Sequence, residues 1–112
     1  MALPKLDRRR VNPSPANLIG PRVRDARAAC GYSQATCAGL LQEQLVLLYP
    51  EISFVLDQSD LSRLETGKRP VWDFEVRCLA VVLGVSTDFL LGLSEQDAPA
   101  AAQHLPAEQP FS

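Results

Sequence analysis

The sequence predicts an all-α fold, five short helices in about 75 residues making one compact domain with no strand. Three observations carry this. Between residues 19 and 90 the apolar residues recur at spacings of three and four, the period of a helix face. Ser33, Asp57 and Ser86 stand where N-caps belong, and Gly31, Gly67 and Gly84 where helices stop. A chain of 112 residues suits one domain and is short for two.

The elements follow in order. Residues 1–17 hold Pro4, Pro13 and Pro15 with little periodicity and read as a flexible basic arm. Ile19, Val23, Ala26 and Cys30 then mark one face of a first helix, with Pro21 in its first turn, where the missing N–H costs little. Ser33 caps a second helix starting at Gln34, with the stripe Cys37, Ala38, Leu41, Leu45 and Leu48; Pro50 sets its outer limit. An apolar connection follows, containing Ile52, Phe54 and Val55. Asp57 caps a third helix from 58 to about 66, with Leu61 and Leu64 facing inward. A fourth helix runs from about 73 to 83 on the stripe Phe74, Cys78, Leu79 and Val82. Ser86 opens a short fifth helix with Phe89 and Leu90 inward. The domain is thus expected over 18–94, and 95–112, rich in Ala, Pro, Gln and Glu, as a disordered acidic tail.

Composition narrows the function classes. Hydrophobic content is 46%, ordinary for a globular protein, and the apolar runs are too short to span a membrane. No apolar stretch follows the basic residues Lys5, Arg8, Arg9 and Arg10, so a cytoplasmic location is expected. The net charge is −2, but it is unevenly spread: residues 1–33 carry seven Lys/Arg against two Asp, and 95–112 carry three acids and no Lys or Arg. A basic front with an acidic tail fits a polyanion-binding domain; charged termini of no special role fit it as well. Cys30, Cys37 and Cys78 are odd in number and widely spaced, which opposes a disulfide framework. Each falls at an apolar helical position and is expected as a small core residue. The sequence has no CxxC, and its one histidine, His104, lies in the tail, so no metal site is expected. Glu43, Glu51 and Glu75 are scattered acids, and neither a nucleophile–base pair nor a glycine-rich phosphate loop is present. No catalytic residue, cofactor or small-molecule ligand is therefore expected.

The most informative stretch is Gln58-Ser59-Asp60-Leu61-Ser62-Arg63-Leu64-Glu65-Thr66-Gly67-Lys68-Arg69. It reads as a polar-faced helix, a glycine stop and two cations. A helix laid in the major groove presents its N-terminal residues to base edges. Gln58 suits adenine, Ser59 and Ser62 bond to several bases, and Arg63 suits guanine or a phosphate. A solvated helix face is the plainer account of Gln58 and Ser59.

Four pieces in sequence carry a resemblance: Gly20-Pro21-Arg22-Val23-Arg24-Asp25-Ala26-Arg27, Gly31-Tyr32-Ser33-Gln34, Leu61 through Arg69, and Leu83-Gly84-Val85-Ser86-Thr87-Asp88-Phe89-Leu90-Leu91. Together, over 18–93, they resemble the lambdoid-repressor/Cro type of helix-turn-helix domain of bacterial and phage regulators, the Xre family. The resemblance implies a sequence-specific transcriptional regulator that binds double-stranded DNA as a homodimer through the helix at 58–66. It implies DNA contacts from Gln34, Gln58, Ser59, Ser62, Arg63, Lys68 and Arg69. Gln34 would anchor a phosphate and brace the reading helix, while Lys68 and Arg69 would hold phosphates without reading sequence. It also implies a structural ion pair between Arg27 of the first helix and Glu65 at the end of the third. Arg8, Arg9 and Arg10 would either reach the DNA or remain only weakly attracted to it.

Two features depart from the family's pattern. The turn between the motif's two helices is ordinarily 3–4 residues, whereas residues 49–56 intervene here. A subgroup with a longer second helix carries a Val-x-Asp-aromatic-Glu segment, which Val71-Trp72-Asp73-Phe74-Glu75 matches. The apolar residues of 45–55 exceed what one helix face buries; they either form a dimer surface or fold back on their own helix. The second departure is Asp60, a negative charge on the reading helix that either accepts from a cytosine, points away, or weakens binding. The competing reading is accordingly a protein-interaction module of the same fold, of the antitoxin or phage-accessory type, with weak or no DNA binding.

Overall fold

The structure, a computed structural model, describes residues 15–95. Among these it holds five helices and no strand, so the expected all-α architecture is met. The helices are α1 (Gly20–Cys30), α2 (Gln34–Leu48), α3 (Gln58–Glu65), α4 (Asp73–Leu83) and α5 (Thr87–Leu90). Their starts follow the expected chemistry. Ser33 Oγ accepts from the Thr36 N–H at 3.0 Å, Asp57 Oδ1 from the Asp60 N–H at 2.9 Å, and Ser86 Oγ from the Phe89 N–H at 3.0 Å. Each bond satisfies a first-turn donor that the helix itself leaves open.

α2 packs against α3 on one side and α4 on the other, α1 lies across α3 and α4, and α5 closes against α4 and α1. The apolar stripes meet in one core that includes Val23, Leu41, Leu61, Leu64, Leu79 and Leu90. No helix among the described residues is long and apolar enough to cross a membrane. Cys37 and Cys78 are buried, and burial pushes the Cys37 thiol up to about 11, leaving it protonated and inert at neutral pH. Cys30 departs from expectation: it is exposed, at the last residue of α1, its thiol facing the Leu83 carbonyl at 3.5 Å. Its spacing from Ala26 suits the inner face, but the core ends one turn earlier.

The junction of α1 with α3 is unusually close. A Cβ on Gly20 would stand 2.6 Å from the Leu64 carbonyl oxygen and 2.7 Å from that of Glu65. Only glycine allows this approach. Residues 15–17, expected in the arm, belong to the domain. The Ala16 N–H donates to the Gly67 carbonyl at 2.8 Å. Asn17 Oδ1 accepts from the Gly20 N–H at 2.8 Å, and its Nδ2 donates to the carbonyls of Leu64 and Arg69 at 3.1 and 2.8 Å. One amide thereby caps α1 and satisfies the carboxyl end of α3. Arg8, Arg9 and Arg10 and the tail beyond 95 lie outside the described residues.

The inserted segment 49–56 folds back on the domain. Gln42, in mid-α2, imitates a backbone unit: its Nε2 donates to the Phe54 carbonyl at 3.0 Å and its Oε1 accepts from the Leu56 N–H at 2.6 Å. Leu56 is buried, and Tyr49 and Phe54 pack on Phe74 with ring centroids 5.7 and 5.4 Å away. Val46, Leu47 and Val55 face outward. The segment is thus anchored at 49, 54 and 56, and part of its apolar surface remains uncovered.

Candidate nucleic-acid interface

Sequence fixes the first turn of α3 by its caps. Asp57 accepts from the Asp60 N–H, and Asp60 Oδ2 accepts from the Asp57 N–H at 3.1 Å, a reciprocal capping box. Leu61 and Leu64 turn one side of the helix into the core. Gln58 and Ser59 are left exposed on the first turn, with Ser62 partly exposed one turn on. The far end stops at Gly67, whose φ of +73° belongs to the left-handed region and whose Cβ, were there one, would lie 2.9 Å from that of Pro15. Lys68 follows, exposed.

The inner side of α3 is clamped through Glu65, whose side chain is 2% exposed. Arg27 grips it with two bonds, Nε to Oε2 at 2.6 Å and Nη2 to Oε1 at 3.0 Å. The remaining amino group of Arg27 donates to the Tyr32 carbonyl at 2.8 Å. Gln34 Nε2 adds a third bond to Glu65, at 3.0 Å to Oε1. The hydrogen bond to Glu65 raises the Arg27 pKa, against the opposing effect of desolvation. A carboxylate of α3 is thus held by α1 and by the first residue of α2, which fixes the three helices against one another.

The seven residues expected to meet DNA divide into groups. Gln58, Ser59 and Lys68 are exposed, Ser62 and Gln34 partly so. The Gln34 amide is occupied with Glu65 on one side. Arg63 is half-exposed and bonded back to Asp60, Nη2 to Oδ1 at 2.5 Å. Arg69, expected to hold a phosphate, is engaged within the domain. Its guanidinium turns inward onto Glu75, Nη2 to Oε2 at 2.5 Å and Nη1 to Oε1 at 3.2 Å, and Nε donates to the Asp60 carbonyl at 3.2 Å. Nη1 also donates to the Pro70 carbonyl at 2.6 Å. The physical reason is Glu75, 1% exposed, which needs a cation and receives this one. Glu75 Oε1 also accepts from the Trp72 N–H at 2.9 Å, so it ties the start of α4 to the exit of α3.

Sequence reasoning missed Asn17, Gln42 and the Arg69–Glu75 pair. Asn17 and Glu75 had a local signal, a polar side chain three residues from a helix-start N–H. Gln42 had none, because its partners lie 12 and 14 residues away in an irregular segment. Charge on the exposed α3 face is balanced, with Asp57 and Asp60 against Arg63 and Lys68. A groove of about 220 Å³ between α2 and α4, lined in part by Tyr32, Leu40, Leu47 and Val81, shares no residue with this face. Among the described residues no group of three His, Cys, Asp or Glu side chains could hold a metal ion. Comparison with protein-family models, curated proteins and solved structures finds no match to the chain.

Proposed function

We propose that the protein is a sequence-specific DNA-binding transcriptional regulator of the cytoplasm, without enzymatic activity or cofactor, that occupies an operator as a homodimer and reads it with α3. The observation that carries this reading is the asymmetry of α3. Its first turn offers Gln58 and Ser59 to solvent, while its last is locked to α1 and α2 through Glu65. A reader of base edges needs an exposed polar end on a rigid mount, because a hydrogen bond to a base discriminates only when its donor is held in place. Lys68 beyond the helix and the backbone N–H groups that open α2 supply contacts to phosphate.

The test is binding of labelled duplexes from a random pool across a salt series. Affinity should fall on the order of tenfold or more between roughly 50 and 200 mM salt. Gln58→Ala and Ser59→Ala should each reduce discrimination between sites by about 1–3 kcal/mol. Lys68→Ala should weaken binding to all sequences alike and lower the salt slope by about one. Retention that ignores salt, or none, contradicts the reading.

The second reading, a protein-interaction module, has its own observations. Asp57 and Asp60 at the tip of α3 oppose phosphate, and Arg69 is withdrawn from the surface. Trp72 is 58% exposed and stacks on Phe74 with planes 5° apart, offering an indole face to a protein partner.

A further inference from the structure

Asp60 is the residue that fits worst with a DNA-reading helix, since a bare carboxylate on the tip of α3 would repel phosphates. Its surroundings give it a different role. Both of its oxygens are committed: Oδ2 accepts from the Asp57 N–H at 3.1 Å, and Oδ1 from Arg63 Nη2 at 2.5 Å. The first bond holds the carboxylate as part of the capping box, so it is a fixed acceptor and not a swinging one. The second draws Arg63 back by one turn. Helical side chains already lean toward the N-terminus, and this bond takes the guanidinium to the end of α3 where Gln58 and Ser59 lie. Arg63 keeps 52% of its side chain exposed. Its Nε and Nη1 have no hydrogen-bond partner among the described residues.

We propose that Asp60 is a positioning residue that holds Arg63 as a guanine reader, so that Gln58, Ser59 and Arg63 make one reading surface. This rests on the DNA-binding reading and deepens it. A guanidinium with one edge fixed on a carboxylate has another edge free for the O6/N7 pair of guanine, the commonest base-specific contact in the major groove. An exposed ion pair of this kind contributes little to folding. Its worth lies in orientation, which matters only once the pair is pressed between protein and DNA and loses its water. The cost of the arrangement is a negative charge near phosphate, so Asp60 lowers affinity for DNA in general while sharpening preference for one base pair.

That opposition makes the test selective. The full chain, Asp60→Asn and Arg63→Lys are each used to select from a random duplex pool, and non-specific affinity is measured on duplexes lacking any selected sequence. The wild type should enrich a guanine at one fixed position. Asp60→Asn keeps an oxygen for the capping box but no longer holds Arg63. It should lose that preference on the order of tenfold while binding non-specific duplex more tightly. Arg63→Lys keeps the charge, leaves the cap untouched, and should lose the same preference on the order of tenfold. A structural role for Asp60 would instead lower both specific and non-specific binding. Asp60→Asn retaining the guanine preference, or Arg63→Lys retaining it, overturns the proposal while leaving the DNA-binding reading intact. Absence of any salt-dependent binding by the wild type overturns both.

Discussion

Glu65 is the residue on which the geometry of α3 depends. Its carboxylate takes three hydrogen bonds, two from Arg27 and one from Gln34, with almost no solvent at hand. Arg27→Ala therefore strands a buried charge and should destabilise the protein by about 3 kcal/mol or more, read as a lower urea midpoint at unchanged slope. A loss below about 1 kcal/mol would show that water replaces the guanidinium at little cost. Arg27 and Glu65 were legible because each occupies a fixed place in a motif. Arg69 was not. A cation just past a helix suggests a phosphate contact, and nothing in a linear reading shows that Glu75, six residues on, is buried and in need of a partner. Cys30 was misplaced for a similar reason: periodicity gives the side of a helix a residue faces, but not where along that side the neighbouring helices end.

At the scale of elements, helix limits were the most legible part of the fold, because caps and stops are local chemistry. The N-cap of α3 carries a pH prediction. The Asp60 N–H, donated to the Asp57 carboxylate, holds Asp57 below its ordinary value near 3.8; desolvation opposes this, and the Asp60 side chain and the Arg63 charge assist. A depressed folded value means that the unfolded chain takes up the proton first as pH falls. The contribution of Asp57 is thus complete above its unfolded value and is lost as pH drops through the folded one, over a window opening at about pH 5 and extending below the ordinary value. Asp57→Asn keeps a capping oxygen but cannot titrate, so its stability should decline less steeply across that window in acid denaturation; an unchanged acid limb would remove the carboxylate from the account. The inserted segment is the least legible element. Its apolar content suggests either self-packing or a dimer surface; the contact that anchors it to the domain is the Gln42 amide, which no local pattern announces. Gln42→Ala leaves the Leu56 N–H and the Phe54 carbonyl without their partner. It should cost about 1–3 kcal/mol and speed hydrogen exchange at Leu56, while exchange within α3 stays slow. Equal acceleration in α3 would mean that the segment and the helix open as one unit.

At the scale of the molecule, two surfaces compete for the functional role. One is the polar face built from the start of α2, the first turn of α3 and Lys68. The other is apolar, with Leu47, Val55 and Trp72 each more than half exposed. These surfaces are compatible if the apolar one joins two copies of the chain, as the dimeric reading requires. They are rivals if it receives a different protein. The fold alone favours neither, since small helical domains carry many functions; the mounting of α3 favours the first. The most direct measurement is to map amide resonances of the isotope-labelled protein as a random duplex of about 20 base pairs is added at low salt, where charge-driven contact suffices for binding. The predicted result is a set of perturbations centred on residues 34–36, 58–63 and 67–68. Perturbations confined to residues 46–55 and Trp72, or none in α3, would contradict the assignment of α3 as the reading helix.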